Sequence, residues 1–169
     1  MNKNNILIRD IRPEEFDAMA QLLKAAYQQY EKFMPADAWQ FYLSDIMDVR
    51  GRMAESELIV AEVNGKLAGT VTLYLEGRKR TEGNWPGGWA GARLLGVGPE
   101  YRDKGIGRAL MDECIRRCRE SGIKAIGLHT LPFMEVAKNM YDRMGFQCIP
   151  EFDLHPMADV VIIAYKLDV

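Results

Sequence analysis

The stretch Leu94-Leu95-Gly96-Val97-Gly98-Pro99-Glu100-Tyr101-Arg102-Asp103-Lys104-Gly105-Ile106-Gly107-Arg108 decides the fold of this chain. Its apolar beginning reads as the end of a strand. From Ile106 onwards, apolar residues recur at three- and four-residue steps, which is typical of an amphipathic helix. A short loop with glycines at 105 and 107 joins the two. The sequence therefore predicts a strand, a glycine loop and a helix in succession.

The start of the predicted helix has the features of a phosphate-binding site. The first N–H groups of a helix have no partner inside it, and the helix dipole places partial positive charge there. Glycines carry no Cβ, so a bulky anion can approach the backbone closely. Arg102, Lys104 and Arg108 add positive charge. A plain strand-to-helix turn that uses glycine for its geometry would show the same pattern, so the loop alone leaves both interpretations open.

Two familiar nucleotide-binding motifs are absent from the sequence. The dinucleotide fingerprint requires a third glycine three positions after Gly107, where this chain has Leu110. The P-loop requires Gly-Lys-Ser/Thr after four intervening residues, and the chain contains no such run. A nucleotide or dinucleotide binder is therefore the least favoured class of function, and competition binding would test it.

The pattern Arg102-x-x-Gly105-x-Gly107, directly after a strand ending Leu95-Gly96-Val97, resembles the acyl-CoA loop of the GCN5-related N-acetyltransferases, the GNAT superfamily. In that family the pattern is Gln/Arg-x-x-Gly-x-Gly/Ala. A second block over residues 137–146 looks like the family's helix that ends Tyr-x-x-x-Gly-Phe. On these two blocks, in this order and spacing, the chain is identified as a member of the superfamily.

Composition restricts the class further. The 169 residues suit one ordinary domain, and the net charge of −2 provides no basic field for nucleic acid or an anionic membrane. Three cysteines, two of them four residues apart on the predicted helix, indicate core positions, and two histidines without Cys-x-x-Cys argue against a zinc site. The sequence shows no signal-peptide pattern and no apolar run of about 20 residues. We therefore expect a single domain over residues 1–169, in a cytoplasmic protein without a metal.

The remaining pattern predicts the order β-α-α-β-β-β-α-β-α-β-β. This order agrees with the family's acyl-CoA N-acyltransferase fold. That is an α/β (α+β) fold with a mixed, mostly antiparallel central sheet of about seven strands, a splayed parallel central pair and four flanking helices. The predicted elements are a strand at 6–8, a helix from Pro13, a helix capped by Asp37, a hairpin of strands 58–63 and 67–75 around Asn64-Gly65, strand 90–97, a helix from Ile106 to Ser121-Gly122, strand 125–129 parallel to 90–97, helix 132–144 closed by Gly145, strand 146–152, and strand 160–165 well inside the sheet.

The resemblance implies direct transfer of an acetyl group from acetyl-CoA to an amine. Backbone groups of Leu95, Gly96 and Val97 would hold the pantetheine like an added strand, and Gly98-Pro99 fits the splay because proline cannot donate to a ladder. The Val97 N–H is the candidate for polarising the acetyl carbonyl. The pyrophosphate would be held by the amides of Arg102, Asp103, Lys104, Gly105, Ile106, Gly107 and Arg108.

The resemblance also implies a general acid, and the residues suggest a base. Tyr141 matches the family's acid tyrosine, and a phenol that is protonated at neutral pH can give its proton to the leaving sulfur; the alternative is a tyrosine packed in the core. His129, at the end of strand 125–129, is a candidate base, with Glu100 or a water as alternatives. One position departs from the family: the asparagine often found seven residues before the tyrosine is Met134 here, so no contact is carried over to it.

The acceptor amine, a small molecule or a peptide, is not identified by the sequence. Three groups of residues are candidates for its surroundings: Glu31, Tyr27 and Tyr30; the basic run Arg78, Lys79 and Arg80 in the polar loop 76–89; and the aromatic residues Phe33, Trp39, Trp85 and Trp89. A solvated loop tip and local packing explain the last two groups equally well. The resemblance implies a possible homodimer through the C-terminal strands. The segment 151–159 with His155-Pro156 is a candidate for that contact or for the rim of the acceptor site. The alternative function is a non-catalytic acyl-CoA-binding module.

Overall fold

The computed structural model describes residues 5–76 and 84–169, which divide into two compact units. The first unit comprises residues 1–73 and 94–113, and the second comprises residues 74–93 and 114–169. Each unit is built from both helices and strands.

Three helices precede the first hairpin of the first unit. Helix α1 spans Phe16–Tyr27, α2 spans Ala36–Met47 and α3 spans Val49–Arg52. Short 3-10 turns lie at Pro13–Glu15 and Gln28–Phe33. The predicted N-cap Asp37 is wrong: α2 already begins at Ala36, and Pro35, whose ψ of 150° is non-helical, is its N-cap. The Asp37 carboxylate instead accepts a hydrogen bond from the Ala38 N–H in the first turn.

The strands of the first unit form an antiparallel arrangement. Strand β1 spans Ile6–Asp10, β2 spans Glu57–Val63 and β3 spans Lys66–Tyr74, whose last residue belongs to the second unit. β2 pairs with both β1 and β3. Asn64 and Gly65 have φ angles of 51° and 77°, as the predicted two-residue hairpin turn requires.

The stretch that opened the sequence analysis forms the predicted strand, loop and helix. Strand β4 spans Trp89–Val97, a 3-10 turn covers Pro99–Tyr101, and α4 spans Ile106–Glu120. The Gly98 N–H donates to the Ala68 carbonyl at 2.9 Å, so the chain stays bonded to β3 one residue beyond the end of β4. Within β4, Leu94 has a φ of 54°, which is irregular for a strand. Cys114 and Cys118 of α4 are buried, as predicted.

The second unit contains the parallel pair and the C-terminal strands. Strand β5 spans Ala125–Thr130 and runs parallel to β4, from Trp89 opposite Ala125 to Ala92 opposite Leu128. Helix α5 spans Glu135–Met144 and ends at Gly145, whose φ is 90°. The last strands are β6 at Gln147–Cys148, β7 at Leu154–Met157 and β8 at Val160–Asp168, and β8 pairs antiparallel with β5, β6 and β7.

The C-terminal part departs most from the predicted elements. The predicted strand 146–152 is reduced to two residues, because Pro150 begins a 3-10 turn over Pro150–Phe152. β7 was not predicted. β8 lies inside the sheet as predicted, between β5 and β6, and the side chains of its first residues, Val160 to Ile163, are half-buried. α5 begins three residues after Pro132. The described residues hold eight strands and five α-helices, one more of each than predicted, and the predicted fold class, mixed and mostly antiparallel with a parallel pair, is confirmed.

Candidate active site

The loop before α4 has an unusual backbone that is open to solvent. Asp103 and Gly105 have positive φ angles of 60° and 77°, and both residues are exposed. A Cβ placed on Gly105 would meet no atom within 4 Å, so glycine serves the turn here and relieves no clash. The Ala109 N–H donates to the Gly105 carbonyl at 3.0 Å and begins the helical pattern, so the N–H groups just before it have no intrahelical acceptor. These amides can bind an anion.

The three basic side chains of the loop contact protein groups. An Arg102 Nη donates to the Ala26 carbonyl at 3.3 Å, and the Lys104 ammonium donates to the Glu100 carbonyl at 2.9 Å. Arg108 lies 3.4 Å from the Asp112 carboxylate, one helical turn away. These contacts are exposed or partly exposed and therefore weak. An anion at the loop would compete with them for the three cations.

The end of β4 presents its backbone groups in two directions. Gly98 donates to β3 through Ala68, and the Gly96 carbonyl also lies on that side, 3.1 Å from the position of a Cβ on Gly69. Because successive residues of a strand alternate, the N–H and C=O groups of Leu95 and Val97 point to the opposite edge. Of the three residues predicted to hold an extended ligand, Gly96 therefore faces β3.

Helix α1 packs directly on this strand. A Cβ on Gly96 would lie 3.2 Å from the Ala26 Cβ and 3.3 Å from a methyl group of Leu23. The Tyr27 hydroxyl donates to the Leu95 carbonyl at 3.0 Å. This hydrogen bond could not be predicted, because nothing in the sequence relates residue 27 to residue 95.

The residues of the first unit that were candidates for the acceptor differ in exposure. Tyr27 is buried and makes edge-to-face contacts with the half-buried Tyr30 and Tyr42 at 5.7 and 6.0 Å. Burial raises the pKa of Tyr30 above its ordinary value, and the charge of Arg102 opposes this shift. The other candidates of this unit are exposed Glu31, which accepts a hydrogen bond from Gln28, exposed Phe33, and Trp39, which is buried in the core.

Tyr141 lies on α5 in the second unit and is buried. Its ring centroid is 5.5 Å from that of Phe146 and 6.0 Å from that of Tyr165. The left-handed Gly145 turns the chain so that the Phe146 N–H donates to the Tyr141 carbonyl at 3.0 Å. This explains the Tyr-x-x-x-Gly-Phe pattern: the glycine ends the helix and returns the phenylalanine onto the tyrosine. Burial raises the pKa of Tyr165 above its ordinary value, and a hydrogen bond with Cys148 raises it further.

His129 is half-buried on β5 and is held on two sides. Its Nε2 lies 2.9 Å from the Phe152 carbonyl oxygen, and its ring stacks on Trp85 with centroids 4.6 Å apart. A carbonyl oxygen only accepts, so Nε2 carries the hydrogen in this contact. Nδ1 is then the nitrogen that would take up a proton.

The Trp85 ring packs against two glycines, Gly91 and Gly127, that were not predicted to have a role. Gly91 of β4 and Gly127 of β5 are register partners, and a Cβ on Gly127 would come within 2.5 Å of the Trp85 ring. Trp89 stacks on Trp85 at 5.9 Å, and the Lys166 ammonium lies 4.9 Å from the Trp89 ring centroid. Isolated glycines within strands indicate close approach of another group, which was the available signal. The basic run 78–80 lies outside the described residues.

Residues 5–76 and 84–169 were considered for metal-ligand clusters and for membrane-spanning helices, and they contain neither. Within these ranges no group of three or more His, Cys, Asp or Glu side chains is arranged to hold a metal ion. None of the helices found there combines the length and the apolar character needed to cross a membrane.

The fold and the loop before α4 define an α/β protein in which an exposed glycine turn leads from a central strand into a helix. The chain belongs to the acetyltransferase (GNAT) family, whose pattern matches residues 16–146. A mycothiol acetyltransferase of Propionibacterium freudenreichii subsp. shermanii is 36% identical over 111 residues, which cover 60% of this chain and 33% of that protein. The chain thus spans about a third of the length of this curated relative.

Solved structures show the same fold. The PaiA N-acetyltransferase of Thermoplasma acidophilum, in complex with coenzyme A, matches with a TM-score of 0.76 and 15% identity over 98% of this chain and 99% of that one. A GNAT family acetyltransferase of Brucella melitensis, in complex with acetyl-CoA, matches with a TM-score of 0.65 and 21% identity over 98% of this chain and 88% of that one. These structures confirm the predicted fold, and the family match over residues 16–146 confirms the superfamily predicted from the sequence.

Proposed function

We propose that this protein transfers an acetyl group from acetyl-CoA to the primary amine of a small molecule or a peptide. The observation that carries the proposal is the exposed loop from Arg102 to Arg108. In a chain of this family, it combines left-handed residues, helix-start amides without an acceptor inside the helix, and three cations at the end of a central strand. Two of the structures that share the fold contain coenzyme A or acetyl-CoA, which supports the choice of cosubstrate.

The loop and the strand end would share the binding of acetyl-CoA. Amides from Arg102, Asp103, Lys104, Gly105, Ile106, Gly107 and Arg108 would hold the pyrophosphate. The three cations would leave their present partners for it, because a charge-assisted bond to phosphate is stronger than one to a neutral carbonyl. Leu95 and Val97 would hold the pantetheine through the groups that point away from β3. Gly96 contributes by allowing α1 to pack closely.

The reaction requires three proton and charge movements. The amine nitrogen attacks the thioester carbon, and the carbon–sulfur bond then breaks to release a thiolate. We assign stabilisation of the transient oxyanion to the Val97 N–H and protonation of the thiolate to the Tyr141 hydroxyl. A base must accept the proton that the amine loses.

His129 is our first candidate for that base. Nδ1 is the nitrogen that would receive the proton, since Nε2 donates to Phe152, and the stack on Trp85 holds the ring in one orientation. Glu100, exposed in the turn after β4, and a water molecule are the alternatives. His129→Gln and Glu100→Gln would separate them, because only loss of the true base removes the acidic limb of the pH–rate profile.

A panel of primary amines with acetyl-CoA tests the proposed activity. Release of free CoA would be followed with a thiol reagent, and acetylated product by mass spectrometry. We expect CoA release that depends on the amine. If CoA binds but no amine accelerates its release, the protein is the non-catalytic acyl-CoA-binding module instead.

We also propose a homodimer through the hairpin of β7 and β8. Val160 to Ile163 are apolar and half-exposed, and Met157 is 64% exposed, so a second copy would bury apolar surface here. Light scattering with Ile162→Lys would test this, since a dimer built on this hairpin would dissociate. The three free cysteines suit a reducing compartment, which supports a cytoplasmic location, and cell fractionation would test it.

A further inference from the structure

Tyr27 joins two distant parts of the first unit. It is the last residue of α1 and is 7% exposed, and its hydroxyl donates to the Leu95 carbonyl 68 positions along the chain. The position of Tyr27 in the sequence made it a candidate for the surroundings of the acceptor, whereas this bond places it against the strand that would hold the pantetheine.

The bonded carbonyl follows directly after a strained residue. Leu94 has a φ of 54°, a conformation that a leucine adopts only when its surroundings impose it. The Leu94 side chain is buried, which fixes one side of the residue. The Tyr27 hydroxyl holds the next peptide group, which fixes the other side.

The direction from which Tyr27 approaches leaves the strand edge accessible. Its ring lies 3.5 Å from the position of a Cβ on Gly96, so it reaches Leu95 from the face of the strand. The groups of Leu95 and Val97 point along the edge away from β3. A carbonyl oxygen has two lone pairs, so the Leu95 carbonyl can accept from Tyr27 and from a ligand on the edge at the same time.

A second contact ties the same end of α1 to the loop. Arg102 donates to the Ala26 carbonyl, the residue directly before Tyr27. The end of α1 is therefore bonded to Leu95, before the turn Pro99–Tyr101, and to Arg102, directly after it. Before the cosubstrate binds, this attachment holds the end of α1 beside the strand, and the Tyr27–Leu95 hydrogen bond remains when Arg102 turns to the phosphate.

We propose that Tyr27 is a positioning residue for the pantetheine arm of acetyl-CoA, acting through the Leu95 carbonyl and the left-handed Leu94. The inference rests on the proposed function, because it assumes that the edge of Leu95 and Val97 binds pantetheine. Tyr27 orients that edge and does not touch the reacting atoms.

Calorimetric titration of Tyr27→Phe with two ligands tests the proposal. CoA carries the pantetheine arm, whereas adenosine 3′,5′-bisphosphate retains the nucleotide and lacks the arm. We expect the Kd for CoA to rise about three- to tenfold, as the loss of one hydrogen bond predicts, with an unchanged Kd for the bisphosphate. Tyr42→Phe is the matched control, because it removes a hydroxyl from the same aromatic cluster on α2 and leaves the Leu95 bond intact.

A second pair of variants addresses the role of Leu94. Glycine adopts a positive φ without strain, whereas alanine shortens the side chain equally well and keeps the strain. We expect Tyr27→Phe to weaken CoA binding in the Leu94→Ala background and to have little effect in the Leu94→Gly background.

The outcomes separate this inference from the proposed function. Wild-type protein that fails to bind CoA overturns both. Normal CoA binding by Tyr27→Phe, or equal weakening of CoA and the bisphosphate, overturns the inference alone, since the second result would show a general structural role.

Discussion

Tyr141 is the residue on which the proposed chemistry depends most. It is buried between Phe146 and Tyr165 on a helix that ends at a left-handed glycine. We expect Tyr141→Phe to lower kcat by about a hundredfold or more, as loss of a general acid does, and to leave the Kd for CoA within about twofold. Amine-dependent CoA release would measure the first quantity and calorimetry the second. An unchanged kcat would show that the tyrosine is a packing residue and that another group protonates the thiolate.

Glu15 provides a prediction about stability. A hydrogen bond from Arg9 holds its pKa at about 2, below the ordinary value of 4.5, and Arg9 also contacts Glu62 of β2. Because the folded pKa is lowered, the ionised carboxylate stabilises the fold at pH values above about 4.5, and this contribution is lost as the pH falls towards 2. We expect Glu15→Gln to lower stability by roughly 1–3 kcal/mol at pH 7, with the difference from wild type shrinking below pH 4.5.

Chemical denaturation at a series of pH values would measure this effect. Glu14→Gln is the control, because Glu14 is the exposed neighbour of Glu15. A difference between wild type and Glu15→Gln that stays constant from pH 7 to pH 3 would contradict the assigned role of the ionised carboxylate.

Single residues show where the sequence was informative and where it was not. Gly145 has the positive φ expected of a glycine that closes a helix, and Gly105 has a positive φ in the predicted glycine loop. Leu94 shares that conformation, but leucine carries no preference for it, so only the packing around β4 determines it. The Tyr27 bond to Leu95 is equally invisible, because it depends on how α1 lies over the strand.

At the scale of elements, Trp85 and the glycine pair beneath it form a device that stabilises the parallel strands. A methyl group on Gly127 would come within 2.5 Å of the Trp85 ring, whereas one on Gly91 would stay 3.2 Å away. We expect Gly127→Ala to cost about 1–3 kcal/mol and Gly91→Ala clearly less, because the first forces the buried indole to move. Thermal or chemical denaturation of the two variants would measure the difference.

The double variant Gly127→Ala with Trp85→Ala checks the cause. Removal of the indole removes the clash. The double variant should therefore lose less stability than the sum of the losses of the two single variants. Full additivity would show that Gly127 is required for some reason other than Trp85.

Elements with a local signal were predicted well, and those set by tertiary context were not. The strand, loop and helix around residues 94–108 and the Asn64-Gly65 hairpin follow from turn chemistry and apolar periodicity, and both are present. The segment 146–157 was predicted less well, because one continuous strand was expected over 146–152 and none directly after it. Pro150 interrupts the expected strand, and β7 pairs with the part of β8 that extends past β5.

At the scale of the whole molecule, family membership was predictable because two motifs lie in a fixed order along the chain. Membership of this family also predicts that a bound ligand raises the stability of the chain.

Three elements, β3, β4 and α4, each contain residues of both compact units. Unfolding of one unit would therefore break elements that the other unit shares. We therefore expect one cooperative thermal transition for residues 1–169, as a single domain requires.

Thermal unfolding with acetyl-CoA, CoA, NAD and ATP in parallel tests the cosubstrate at this scale. A ligand at about 100 times its Kd adds roughly 2.7 kcal/mol of stability, which for a domain of this size raises Tm by roughly 5–10 °C. We expect acetyl-CoA and CoA to raise Tm and NAD and ATP to have little effect, because the loop lacks both nucleotide-binding motifs.

Replacement of Gly105 by valine should abolish the rise in Tm that CoA causes. The φ of 77° at this position is costly for a β-branched side chain, so the amides of the loop would reorient. A shift by NAD or ATP alone would assign the loop to another ligand, and Tyr141 and His129 would then be packing residues of the second unit.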